Sequence, residues 1–78
     1  RRVGFKEKRE LHELPGTIEK LEVEKQGLFA LMASPSFHTT RGEEIARIRE
    51  RLVAVEAGIH KAYARWMELE ALTAGGEV

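Results

Sequence analysis

Residues 45–69 read IARIRERLVAVEAGIHKAYARWMEL, and this stretch decides the fold. Its apolar members Ile45, Ile48, Leu52, Val55, Ile59, Ala62, Trp66 and Leu69 recur in alternating steps of three and four. That spacing gathers them on one stripe of a helix and makes a heptad seam. Just upstream, Thr40 followed by Glu43 has the form of a capping box, which predicts a helix start near Arg41. The same helix is expected to fray near Thr73, before Gly75 and Gly76. At ~1.5 Å per residue it is about 50 Å long, too long for a compact domain of this mass, and it needs a partner of similar length.

The first half supplies that partner. Leu11, Leu14, Ile18, Leu21, Lys25, Leu28 and Met32 repeat the three-four alternation, and Ser34-Pro35-Ser36-Phe37-His38-Thr39 between the halves is rich in turn formers. The expected fold class is therefore all-α. It is an antiparallel two-stranded intramolecular coiled coil, a helical hairpin with helix one over about 5–33, a loop over about 34–40 and helix two over about 41–73, in one domain spanning 1–78. Counting outward from the loop places Leu28 near Ile48, Leu21 near Val55, Ile18 near Ile59 and Leu11 near Trp66. On the same count Phe5 reaches Leu69 or Leu72.

Five positions disturb this pattern. Pro15 lacks the amide hydrogen that would bond Leu11 and disfavours helical geometry at Leu14, and Gly16 weakens the same spot. The first helix is thus expected to be kinked or broken near Pro15, in two segments that keep one heptad phase. Lys25 takes a seam position, where its stem can pack while its ammonium reaches water. Gly27 and Gly58 each cost a helix interior about 1 kcal/mol relative to alanine, so the middle of the hairpin is expected to be loosest. Phe37 in the loop is expected to fold back onto Met32 and Ile45, the alternative being an exposed anchor for a partner.

Composition narrows the function. The chain has 78 residues and no cysteine, which leaves no disulfide or thiolate metal site and suits a reducing compartment. No apolar run reaches the roughly 18 residues of a membrane span, and no signal peptide is visible, so a cytoplasmic protein with no membrane partner is expected. The first residue is Arg1 rather than methionine and the last residues are Gly75-Gly76-Glu77-Val78, which reads as a piece of a longer polypeptide. Thirteen basic residues balance thirteen acidic ones, as on long solvated helix faces.

No phosphate-binding loop of the form GxxxxGK followed by Ser or Thr is present, nor is GxGxxG. His12, His38 and His60 are spaced too widely for a local metal box, and a two-helix hairpin offers no concave pocket for a catalytic triad. The chain is expected to be neither an enzyme nor a holder of a cofactor or metal. What stands out is the placement of cations. Arg1, Arg2, Lys6, Lys8 and Arg9 meet only Glu7 in the first nine residues, and Arg47, Arg51, Lys61 and Arg65 share one face of helix two. The hairpin brings Lys61 and Arg65 toward the N-terminal cluster, giving a positive patch at the open end, of the kind that binds phosphates. The competing reading is a set of solvated helix charges paired with Glu56, Glu68 or Glu10.

Particular residues also carry a resemblance. The run Gly4-Phe5-Lys6-Glu7-Lys8-Arg9-Glu10-Leu11, then Leu14-Pro15, Ile18-Glu19 and Leu21-Glu22, resembles the opening of the C-terminal domain of Uup-type ABC-F ATPases. Their pattern is (S/T)-(F/Y)-K-E-(Q/K)-R-E-L leading into L-P-x-x-I-E-x-L-E. Tyr63-Ala64-Arg65-Trp66-Met67-Glu68-Leu69-Glu70 is similar to the closing Y-x-R-W-x-E-L-E. The loop, Ser34-Pro35-Ser36-Phe37-His38, departs from the usual D-P-x-(F/L)-Y.

The resemblance implies a domain that follows two ATP-binding cassettes in a cytosolic bacterial protein without transmembrane segments. ATP and magnesium then belong to the parent protein, an ATPase, and not to this domain. It further implies DNA binding by the hairpin, with Lys6, Lys8, Arg9 and Arg65 as phosphate contacts, beside which Arg1, Arg2 and Lys61 complete the basic set. Ribosomal RNA is an equivalent polyanion. Two functions follow as expectations. The first is a monomeric hairpin that binds nucleic acid without sequence choice. The second is a protein-interaction or spacer hairpin that docks on its own ATPase cassettes or on the ribosome.

Overall fold

The computed structural model describes residues 4–76 and contains two long helices joined by one tight turn. Helix α1 spans Phe5–Ala33 and helix α2 spans Gly42–Gly76, with a 3₁₀ turn at Pro35–Thr39 between them. The helices lie antiparallel in a rod of 58 × 16 × 16 Å, the hairpin that the two seams predict. No helix among the described residues is long and apolar enough to cross a membrane.

The seams meet as the heptad phase demands. Leu14, Ile18, Ala62 and Leu69 form a buried cluster on which Leu11, Trp66 and Leu72 pack. Val55 and Ile59 are buried further toward the loop, and Val55 and Leu69 are almost wholly sealed, at 1% and 0% exposure. Leu21 closes over Gly58, where a β-carbon would come within 3.4 Å of the Leu21 Cδ1. The missing side chain at Gly58 is therefore the hole that a leucine knob fills.

Burial weakens toward the loop rather than in the middle. Leu28, Met32, Ile45 and Ile48 are only half-buried, whereas the central Val55 and Ile59 are sealed. The Lys25 stem is partly covered and its Nζ lies 3.9 Å from Glu22 Oε1, so this seam lysine packs its methylenes and keeps its charge at the surface.

Four local expectations are corrected. Helix α1 runs unbroken through Pro15 instead of forming two segments. One lost backbone hydrogen bond is local, while Leu11, Leu14 and Ile18 on either side of the proline all pack on the same α2 stripe and hold the helix together. Phe5 does not reach Leu69 or Leu72, since it is 82% exposed. At 100° per residue it lies about 180° from Leu14, on the outer face of α1.

The capping box at Thr40 and Glu43 is also replaced. The Thr40 hydroxyl donates back to the Ser36 carbonyl at 2.9 Å, beside Thr39 Oγ1 on the same acceptor. Glu43 pairs with Arg41, and the Arg41 carbonyl receives the first helical bonds, from Glu44 and Ile45 N–H at 3.0 Å. Finally, α2 continues to Gly76 rather than fraying near Thr73. Phe37 is buried at 6% exposure, which rules out an exposed loop-tip anchor and agrees with an inward-folded ring.

Candidate nucleic-acid interface

The open end of the hairpin is built from the first turns of α1 and the last third of α2. Helix α1 starts with the Gly4 N–H donating to Glu7 Oε1 at 3.1 Å. Lys6, Lys8 and Arg9 are all exposed. Two residues apart on a helix means about 200°, so Lys6 and Lys8 sit on opposite flanks of α1. Arg9 lies 3.6 Å from Glu13, one turn on. Arg1 and Arg2 lie outside the described residues.

Across the interface, Arg65 does not present an open guanidinium. Its Nε and Nη2 donate to Glu10 Oε2 and Oε1 at 2.7 and 2.9 Å, and its Nη1 donates to Glu68 Oε1 at 2.9 Å. The bidentate fork suits a carboxylate, and it joins α2 to α1. The hydrogen bond from Arg65 holds the Glu10 carboxyl below its ordinary range, with a further contribution from the Lys6 charge one turn away. The two carboxylates in turn push the Arg65 guanidinium up. Lys61, one turn before Arg65, is exposed and has no ion pair within 4 Å among the described residues.

The structure thus brings Lys6, Lys61 and Arg65 to one flank of the open end, leaves Lys8 on the other, and makes Arg65 a clamp between the helices. The pairing of Arg65 with Glu10 and Glu68 is the solvated-charge alternative considered for it above. A second clamp was not visible residue by residue. Arg51 Nε and Nη2 donate to Glu24 Oε2 and Oε1 at 2.5 and 2.7 Å. The bond from Arg51 holds Glu24 low and Glu24 holds Arg51 high.

The two clamps are two heptads apart on each helix, about 21 Å. The signal that finds them is the mirror count across the loop, in which Glu10 is to Arg65 as Glu24 is to Arg51. One heptad in from each clamp the same count pairs Thr17 with Gly58, the rung left open for Leu21. His12 and His60 are exposed, and no metal-holding cluster exists among the described residues.

Comparison with known proteins shows the family. A family model described as ABC transporter C-terminal domain matches residues 2–71. The chain is 33% identical over 75 residues to the ATP-binding protein Uup of Escherichia coli strain K12, covering 96% of this chain and 12% of that protein. It is 35% identical over 69 residues to a Uup-like ATP-binding protein of Haemophilus influenzae, covering 88% of this chain and 15% of the relative. The chain therefore spans only a small part of the length of these relatives. No solved structure matches it.

Proposed function

The chain belongs to the ABC transporter C-terminal domain family, and from that membership we propose that it is a non-specific nucleic-acid-binding module of a longer ATP-binding protein. One observation carries this reading: Lys6, Lys8 and Arg9 crowd the first two turns of α1, with Lys61 on the same flank as Lys6, all exposed. Cations at a helix N-terminus work against the helix macrodipole, so the dipole does not account for them there. A polyanion does, because each phosphate neutralised releases counterions.

In this reading Lys6, Lys8, Arg9 and Lys61, with Arg1 and Arg2, contact backbone phosphates, and Arg65 holds the helices that carry them. A smooth hairpin has no element that reads base edges, so DNA duplex is bound without sequence choice. The domain itself takes no cofactor. ATP hydrolysis with magnesium belongs to other parts of a longer cytoplasmic protein.

The test is fluorescence anisotropy of a labelled ~20-base-pair duplex at 50 and 200 mM salt. Six phosphate contacts predict micromolar binding that weakens on the order of 1,000-fold across that range. Replacing Lys6, Lys8, Arg9 and Lys61 with glutamine is expected to abolish it with helicity intact. Binding that ignores salt, or survives the fourfold variant, sinks the proposal.

A further inference from the structure

The clamp ladder fails at its next rung, and the failure leaves a groove. One heptad beyond the Glu24–Arg51 clamp the mirror count pairs Leu31 with Glu44, an apolar side chain against a carboxylate. Leu31 stays 46% exposed. It forms, with Leu28, Ile48, Glu44, Arg47 and Arg51, the lining of a groove of about 460 Å³ near the loop end of the hairpin. The floor is the half-buried seam of Leu28 and Ile48.

The rim carries two unspent charges of opposite sign. Arg51 is taken by Glu24, but neither Glu44 nor Arg47 has an ion pair within 4 Å among the described residues. They stand one turn apart on α2. Glu44 and Arg47 leave the rim without net charge, so the groove offers a nucleic acid or an anionic membrane no net attraction. A complementary occupant places a base against Glu44, an acid against Arg47 and an apolar side chain between them.

We propose that this groove is a docking site for an amphipathic helix of a protein partner, presenting one leucine-sized side chain flanked by an acid and a base one turn apart. It is separate from the open-end cations, the nearest of which, Lys61, lies about 15 Å beyond Arg51 along α2. The hairpin then has two ends with different partners, polyanion at one and protein at the other. Recognition is by an apolar anchor with a charged pair that sets the direction of the bound helix.

The test places a photo-crosslinking phenylalanine derivative at position 31 in the full-length protein in its own cells, with position 53 on the outer face of α2 as control. The expected result is a protein adduct from position 31 whose sequenced peptide carries an acid and a base one turn apart around an apolar residue. Glu44→Lys and Arg47→Glu, both at exposed positions, are each expected to lower its yield about tenfold with helicity unchanged. Absence of an adduct above the position 53 control overturns the proposal. So does an adduct to nucleic acid, an adduct to a second copy of the hairpin, a peptide without the charge pattern, or a yield indifferent to both reversals. None of these outcomes bears on DNA binding by Lys6 to Lys61, which the anisotropy titration measures independently.

Discussion

Single residues set the balance of this interface, and the glycines show how. Gly27 has nothing within 4 Å of the place where a β-carbon would stand, so Gly27→Ala is expected to stabilise the hairpin by about 1 kcal/mol, read from the urea midpoint at constant slope. Gly58 sits under Leu21, so Gly58→Leu is expected to cost about 1–3 kcal/mol by forcing the helices apart. In sequence both were simply glycines in helix interiors. What distinguishes them is the opposite helix, which no local pattern contains. The clamp carboxylates make a second prediction at this scale. Glu10 and Glu24 titrate below their ordinary value of 4.5 in the folded state. Their contribution is fully present above that value and is lost as pH falls below it toward their depressed folded values. Thermal midpoints are expected to drop on acidification below about pH 4.5, and the drop is shallower in the double variant Glu10→Gln, Glu24→Gln. Equal slopes in the two proteins would remove the clamps from the account.

At the scale of elements, the periodic parts were legible and the exceptions were decided by competition. Seams of eight apolar residues on one helix and six on the other outweigh one proline, which is why α1 passes through Pro15. Pro15→Ala restores a donor to the Leu11 carbonyl and is expected to stabilise the hairpin by about 1–3 kcal/mol in urea denaturation. A neutral or negative result means that packing needs the proline. The Thr40 cap was misread because its hydroxyl donates to the turn instead of accepting from a helix N–H. The 3₁₀ turn offers the Ser36 carbonyl at 2.9 Å, so Thr40 serves the turn and Arg41 takes over the helix start. Phe5 was misplaced by counting pairs without carrying the heptad phase upstream, where it falls on the outer face. The basic residues were legible as a cluster. Their division between two flanks, and the loss of Arg65 to a clamp, follow only from helix phase and from Glu10 across the interface.

For the whole molecule, the register is the property to test. Exposed ion pairs are weak one at a time, but two bidentate clamps at the same mirror count select one alignment against slips of a heptad. Reversing Glu24→Lys or Arg51→Glu alone is expected to lower the thermal midpoint, and the two reversals together to recover most of the loss, as a double-mutant cycle reports. An additive double variant would show that apolar packing alone sets the register. The antiparallel arrangement also decides how the rod answers a mechanical load. Tension applied between residue 4 and residue 76 acts at one end and peels the helices apart in sequence, breaking the Glu10–Arg65 clamp before the core and the Glu24–Arg51 clamp after it. Tension applied between the loop and the open end runs along both helices at once and meets all of them together. The same hairpin is thus compliant when its strands are drawn apart and stiff when used as a strut, so a push or pull delivered at the Leu31 groove reaches the open-end cations some tens of ångströms away with little lost on the way.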